Sequence, residues 1–327
     1  MTTPATSTST MIDTTDLDDM QSQIESHAST SSSVISDSEK FPKPLLLSFD
    51  AYDTIYINKN SMGYEYNKIF GNYNINLNSE IINNNYYSNF KKLFNDYPNY
   101  GKFHGLEVNE FWVKFIKLVI SQSIKKIDLM KIENRYTDNK TGITILNQIV
   151  TEILHNFAKN DTYKIYDDLI PFLNYLQNDL KLTNNNLIVS SNADLKVTNL
   201  IMNEFKLNKF FDKNSIYLSY NLNLNKPNPK FFEIIINNEL MKHNTLHKNS
   251  TTTVGNLTKK DLIDGMWHIG DDYEKDILCC NSVGIKGILI DRKIKNPNYF
   301  KKFYDINKNL KFVKVSNLLT LKKLFKL

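Results

Sequence analysis

Leu45-Leu46-Leu47-Ser48-Phe49-Asp50-Ala51-Tyr52-Asp53-Thr54 is the stretch on which the fold of this 327-residue chain turns. Its first five residues form a short, nearly continuous apolar run with no alternation, as expected of a strand buried on both faces of a sheet. The run stops at a carboxylate, Asp50. From there to about residue 160 the apolar spacing is helical: Phe111, Phe115 and Leu118 share one face, and Ile145, Ile149 and Ile153 another, which predicts a separate bundle of helices. After about residue 165 strands alternate with helices. A helix through Leu169, Phe172, Leu173 and Leu176 precedes the strand Leu187-Ile188-Val189-Ser190, and a helix over Lys230 to Leu240 precedes the strand Met266-Trp267-His268-Ile269. Gly287 to Ile290 and Phe312 to Val315 add two more strands. This order predicts an α/β fold with a parallel sheet covered by helices on both faces. The polar stretch from His243 to Asp264 reads as an inserted surface loop.

In an open parallel sheet the ligand crevice lies outside the carboxyl ends of the strands. Three strands here end in reactive residue types: Phe49 runs into Asp50, Ser190 into Ser191-Asn192, and Ile269 into Gly270-Asp271-Asp272. Lys226, in Asn-Lys-Pro-Asn-Pro, approaches from a loop stiffened by Pro227 and Pro229. A carboxylate nucleophile, an acidic cluster able to hold Mg²⁺ through hard oxygen ligands, a hydroxyl or amide donor and a lysine form a set suited to phosphoryl transfer through an aspartyl-phosphate.

Taken in order, Asp50-Ala51-Tyr52-Asp53-Thr54, Ser191-Asn192, Lys226-Pro227-Asn228-Pro229 and Gly270-Asp271-Asp272-Tyr273-Glu274-Lys275-Asp276 resemble the four signature motifs of the haloacid dehalogenase (HAD) superfamily of hydrolases. The resemblance spans residues 45 to 292. It implies a Rossmann-like core over 41–58 and 160–327 and a helical cap of the C1 type over 59–159, with hinges near Tyr56-Lys59 and Lys159-Tyr163. Within the cap, Pro98-Asn99-Tyr100-Gly101, His104-Gly105-Leu106 and Trp112 look similar to the eukaryotic HAD-like hydrolase domain-containing proteins. The resemblance also implies roles. Asp50 attacks phosphorus, Ser191 binds phosphoryl oxygens, and Lys226 stabilises the nucleophile and intermediate. Asp50, Asp271, Asp276 and the backbone carbonyl of Tyr52 hold Mg²⁺, while Asn192, Tyr52 and Tyr100 contact a small phosphorylated substrate.

One position departs from the pattern. Family phosphatases carry a second aspartate two residues after the nucleophile as general acid and base, and here that residue is Tyr52. A phenol with an ordinary pKa near 10 is a poor base at neutral pH, so help worth about 10²–10⁴-fold is in question. Asp53 is read as a turn residue whose side chain points away. The Asp-Ala-Tyr triplet resembles L-2-haloacid dehalogenases, whose leaving halide needs no proton. That activity, or a weakly active or inactive binding protein of the same fold, is therefore the alternative. Asp194 and Asp272 read as helix caps, His268 as a core histidine, and Cys279 and Cys280 as small buried residues.

Composition narrows the rest. Residues 1 to 40 are Ser/Thr/Asp-rich, with one lysine against seven carboxylates, and read as a disordered tail, possible to phosphorylate or to dock on a protein partner. The chain's net charge of +5 is carried by dispersed lysines with only Arg135 and Arg292 as arginines, which reads as a solvated surface without nucleic-acid partner. No apolar run approaches a membrane span, and no targeting signal is recognisable at the start, so a cytosolic or nuclear protein without a membrane partner is expected.

Overall fold

The computed structural model describes residues 40–137, 142–248 and 257–326. The expected disordered tail lies outside these residues apart from Lys40. Seven strands form one sheet in the order β5-β4-β1-β6-β7-β9-β8, where β1 is Leu46–Phe49, β4 Leu187–Ser191, β5 Ile216–Leu218, β6 Met266–Gly270, β7 Lys286–Ile290, β8 Phe300–Tyr304 and β9 Leu310–Val315. All pairings are parallel except β8 with β9. The α/β fold with a mainly parallel, Rossmann-like sheet is thus as expected.

The pleat explains why the strands read as continuous apolar runs. Alternate residues go to opposite faces. Leu47, Phe49, Leu187, Val189, Trp267 and Ile269 enter one apolar cluster with the helix Leu169–Asn178, while Leu46, Ile188 and Met266 enter another with Phe231, Phe232, Ile235 and Ile236 of the helix Lys230–Lys248. Covered on both sides, β1 has no solvent face on which to place polar residues. Cys279 and Cys280 are buried and unbridged.

Between β1 and β4 the chain leaves the sheet through β2 (Tyr56–Asn58) and returns through β3 (Tyr163–Ile165). These pair antiparallel, Tyr56 opposite Ile165 and Asn58 opposite Tyr163, so most of the first segment expected as a hinge, and only the last residue of the second, lie in a two-stranded ribbon. Their aromatic and β-branched residues favour pairing. The intervening helices Met62–Gly71, Ser79–Asp96, Val108–Ser123, Lys126–Asn134 and Ile145–Asn156 pack around a cluster of their own that includes Tyr66, Phe70, Phe111, Phe115 and Ile149.

The stretch expected as a surface loop from His243 to Asp264 is helical at both ends. The Lys230–Lys248 helix runs eight residues past Leu240, and Lys259–Asp264 is a helix opened by a Thr258–Asp261 capping box. Strands β5 and β8 were not anticipated: β5 is three residues long, and β8 is a half-buried edge strand with two lysines. Among the described residues no helix is long and apolar enough to cross a membrane.

Candidate active site

The three polar strand ends are neighbours. Phe49 pairs with Val189 on one side and Ile269 on the other, which brings Asp50, Ser191 and the Gly270–Asp272 turn to one crevice. Asp50 is 8% exposed, and its backbone N–H donates to the Ile269 carbonyl at 2.8 Å. Lys226 arrives from the loop before the Lys230–Lys248 helix and is held there by one amide. The Lys226 N–H donates to Asn192 Oδ1, and Asn192 Nδ2 donates to the Lys226 carbonyl, both at 2.7 Å. The buried ammonium then donates to Asp50 Oδ1 at 2.7 Å, Asp276 Oδ1 at 2.5 Å and the Ser190 carbonyl at 3.0 Å, which satisfies all three of its donors.

Asp276 sits on the helical turn Tyr273–Leu278, which Asp272 caps by accepting from the Glu274 and Lys275 N–H groups. The Asp272 N–H donates to Asp276 Oδ2 at 3.0 Å. Close approach of the Asp276 carboxylate to the strand end requires glycine at 270, because a Cβ there would lie 2.1 Å from Asp276 Cγ. Behind it lies a buried polar chain. His268 Nε2 is 3.1 Å from Asp276 Oδ1, His268 Nδ1 is 3.0 Å from Ser48 Oγ, and Ser48 Oγ is 2.6 Å from Ser190 Oγ. Burial pushes the His268 pKa down and favours the neutral ring, in which Nε2–H would donate to the Asp276 carboxylate and Nδ1 accept from Ser48. His268 is a satisfied core histidine whose partner is a site carboxylate.

Oxygens of Asp50, Asp271 and Asp276 all lie within 4.8 Å of one another. Burial raises the Asp50 carboxyl to about 6, against the pull of Lys226 and with the push of Asp276. Burial also opposes ionisation of Asp276, but Lys226 and the His268 hydrogen bond outweigh it and hold that carboxyl below the usual range. Much of Asp271 is open to solvent, yet desolvation of its carboxyl, then the charges of Asp50 and Asp276, push it up to about 8. Burial lowers the Lys226 pKa, but Asp276 and Asp50 reverse this and keep it charged. One cation faces two ionised carboxylates and a third, Asp271, whose ionisation their charge opposes, an imbalance that a hard divalent ion would relieve.

A cavity of about 690 Å³ opens above this floor, lined at its base by Asp50, Ser191, Asn192, Lys226, Asp271 and Asp276. Tyr52 and Tyr100 line it too. Tyr52 is 41% exposed and its hydroxyl accepts from Asn58 Nδ2 at 2.8 Å, while burial of its ring end pushes its pKa above the tyrosine range. Tyr100 is buried, and its hydroxyl donates to the Asn192 carbonyl at 3.3 Å. It lies in a run of left-handed residues, Asn99, Tyr100 and Gly101, docked on the core by Lys102 Nζ donating to the Tyr220 carbonyl at 2.6 Å. Ser191 is buried beside Asp50 and lowers its pKa by hydrogen bonding. Asn192 lines the cavity with both of its amide groups engaged on Lys226.

Two participants escaped the sequence reading. Arg292 reaches back from the end of β7 to the loop after Asp50. Its guanidinium binds both Asp168 oxygens at 3.1 and 3.0 Å, donates to the Thr54 and Asp53 carbonyls at 2.8 and 3.3 Å, and stacks 3.5 Å over Tyr166. The Tyr166 hydroxyl in turn donates to Asp53 Oδ1, and Asp53, at φ 62°, does not line the cavity. One of only two arginines in so lysine-rich a chain was the available signal. Asp194 was assigned to helix capping alone. It does accept from the Lys196 N–H at 2.7 Å, but it also lines the cavity and accepts from Trp112 Nε1 at 2.5 Å. Of the cap aromatics that could touch a substrate, Tyr66, Tyr100 and Trp112 line the cavity, joined there by Phe90, Phe94 and Phe115.

No known family model matches the sequence. The Saccharomyces cerevisiae uncharacterized protein YMR130W is 30% identical over 262 residues, covering 80% of this chain and 76% of that protein. Among solved structures, the HAD phosphatase from Thermococcus onnurineus aligns with a TM-score of 0.44 at 16% identity over 85% of this chain and 96% of that one. The 2-haloacid dehalogenase from Pseudomonas syringae aligns with a TM-score of 0.45 at 13% identity over 87% and 98%. The four stretches that resemble the haloacid dehalogenase signature motifs meet at one crevice of the sheet, and the chain belongs to one family with the yeast protein YMR130W.

Proposed function

We propose that this chain is a Mg²⁺-dependent phosphohydrolase acting through an aspartyl-phosphate on Asp50, on a small phosphorylated substrate. The observation that carries the proposal is the pairing of Lys226 with both Asp50 and Asp276 inside a cluster of three carboxylates within 4.8 Å. A metal-free dehalogenase has no use for so much negative charge, which would repel a carboxylate substrate. The donors fit a hard divalent ion: carboxylate oxygens from Asp50, Asp271 and Asp276, with the Tyr52 carbonyl as a fourth. Such an ion, once bound, neutralises phosphoryl oxygens and keeps the carboxylates ionised.

Asp50 is the nucleophile. Lys226 holds its carboxylate in place and offsets charge as the phosphoryl group transfers. Ser191 binds a phosphoryl oxygen, and Asn192 fixes the lysine. The helical layer over 59–159 acts as a cap that excludes water, and residues 41–58 with 160–327 form the core that carries the chemistry. Tyr52 supplies no base, because its pKa is raised rather than lowered.

The test is Mg²⁺-dependent phosphate release from a panel of phosphomonoesters by the native chain and by Asp50→Asn. Activity lost in the variant supports the reading. A folded native chain that binds Mg²⁺ but releases no phosphate sinks it, and turnover of L-2-haloacids would then favour the dehalogenase.

A further inference from the structure

The cavity over Asp50 has two unlike ends. Its floor is charged, while its upper wall is built from aromatic rings. Phe90 stacks on Trp112 at 5.9 Å and 22° and on Phe94 at 5.6 Å and 24°, and Tyr100 leans on Trp112 at 5.8 Å. Trp112 is fixed by its hydrogen bond to Asp194, so this wall is positioned before any ligand arrives. Tyr66, also in the wall, carries a buried hydroxyl with no hydrogen-bond partner among the described residues. A flat ring system placed here would stack on these ring faces, and the Tyr66 hydroxyl offers it a polar partner. At about 690 Å³ the space suits a small molecule.

An independent observation concerns the leaving group. No carboxylic acid stands two residues after Asp50. Tyr52 occupies that position with its hydroxyl bonded to Asn58, and the adjacent Asp53 is bonded to Tyr166 outside the cavity. A site without a carboxylic acid at that position works best on leaving groups that depart as stable anions, and a phenol, with a pKa near 10, yields a far better one than an aliphatic alcohol.

We infer that the substrate is an aryl phosphate, the phosphate monoester of an aromatic hydroxyl, whose ring lies against the aromatic wall that includes Phe90, Phe94, Tyr100 and Trp112. This rests on the phosphohydrolase reading above. An Asp50 oxygen bonds to phosphorus as the P–O(aryl) bond breaks, and the ring departs as aryloxide, taking a proton from water outside the site. Water then attacks phosphorus, the bond to Asp50 breaks with return of its carboxylate, and both water hydrogens leave on dihydrogen phosphate.

The experiment has two arms. Calorimetric titration of the full chain carrying Asp50→Asn, with Mg²⁺, compares 2-naphthyl phosphate with glucose 6-phosphate and inorganic phosphate. The naphthyl ester is expected to bind at least about tenfold more tightly than the sugar ester. Replacing one ring face by Phe90→Leu should cut that ratio about threefold. In the second arm, kcat/KM of the native chain is measured for both esters and is expected to favour the naphthyl ester. Equal affinities, or tighter binding of the sugar ester, overturn the aryl assignment even if phosphate is released from both. Tight naphthyl binding with no Mg²⁺-dependent release from any ester instead overturns the hydrolase reading and with it the substrate, leaving only an aryl-phosphate binding site.

Discussion

Replacing Asp50 by asparagine should make the metal-free protein more stable at mildly alkaline pH, although the same change removes the proposed nucleophile. Burial lifts this carboxyl from an ordinary 3.8 to about 6 even with Lys226 alongside. At ~1.36 kcal/mol per pH unit, holding it ionised in the folded state costs on the order of 3 kcal/mol. A carboxyl whose folded-state pKa is raised contributes stability that is fully present below about pH 4 and is lost as pH rises through about 6. Asparagine keeps the shape and never ionises. In urea unfolding with a chelator, Asp50→Asn should therefore match the native chain near pH 4 and exceed it by about 1–3 kcal/mol at about pH 8. Adding Mg²⁺ should close or reverse the gap, because an ion at about 100 times its dissociation constant adds about 2.7 kcal/mol to whichever form binds it. If the variant is instead less stable than the native chain at about pH 8 without metal, Lys226 outweighs burial and the account of this site's electrostatics is wrong.

Other expectations concern the supports of the site. Asn192→Ala removes both hydrogen bonds that clamp the Lys226 backbone and should lower kcat about tenfold or more, at a stability cost of about 1–3 kcal/mol; an unchanged rate would show that the lysine is placed by its loop alone. Arg292→Lys loses the two-oxygen grip on Asp168 together with the Thr54 and Asp53 carbonyl contacts, and thermal unfolding should report a loss of about 3 kcal/mol. Tyr52→Asp tests the absent acid. It should raise kcat for alkyl phosphates by at least about tenfold while leaving aryl phosphates little changed, and a uniform effect on both would contradict the leaving-group argument. Gly101→Ala places a Cβ at φ 76° and 2.7 Å from Leu106 Cδ1, so chemical denaturation should show a loss of about 1–3 kcal/mol.

Much of this protein was legible in one dimension because its information is local. A strand covered on both faces must be apolar throughout, so Leu46–Phe49, Leu187–Ser191 and Met266–Gly270 announced themselves. The residues at their carboxyl ends are dictated by chemistry at the crevice, which is why Asp50, Ser191 and the Gly270–Asp276 stretch stood out in order. Short or exposed elements announced nothing. Three-residue β5 has too little pattern to detect, and β8 is held by a single partner, β9. The ribbon of β2 and β3 joins residues more than a hundred positions apart, so its pairing is invisible until the chain has folded.

What only the tertiary structure decided is the set of long-range polar partnerships and the shape of the cavity. The sequence placed Asn192 near the substrate, but the folded chain commits its amide to Lys226 from 34 residues away. It read Asp194 as a cap, whereas Trp112, 82 residues distant, uses that same carboxylate to anchor the aromatic wall. Arg292 locks the loop after Asp50 from 238 residues away, through carbonyl contacts that leave no local pattern. Burial and helix periodicity are properties of neighbouring residues and are written along the chain; hydrogen bonds between remote groups, and the cavity enclosed between two layers, exist only once both layers are in place.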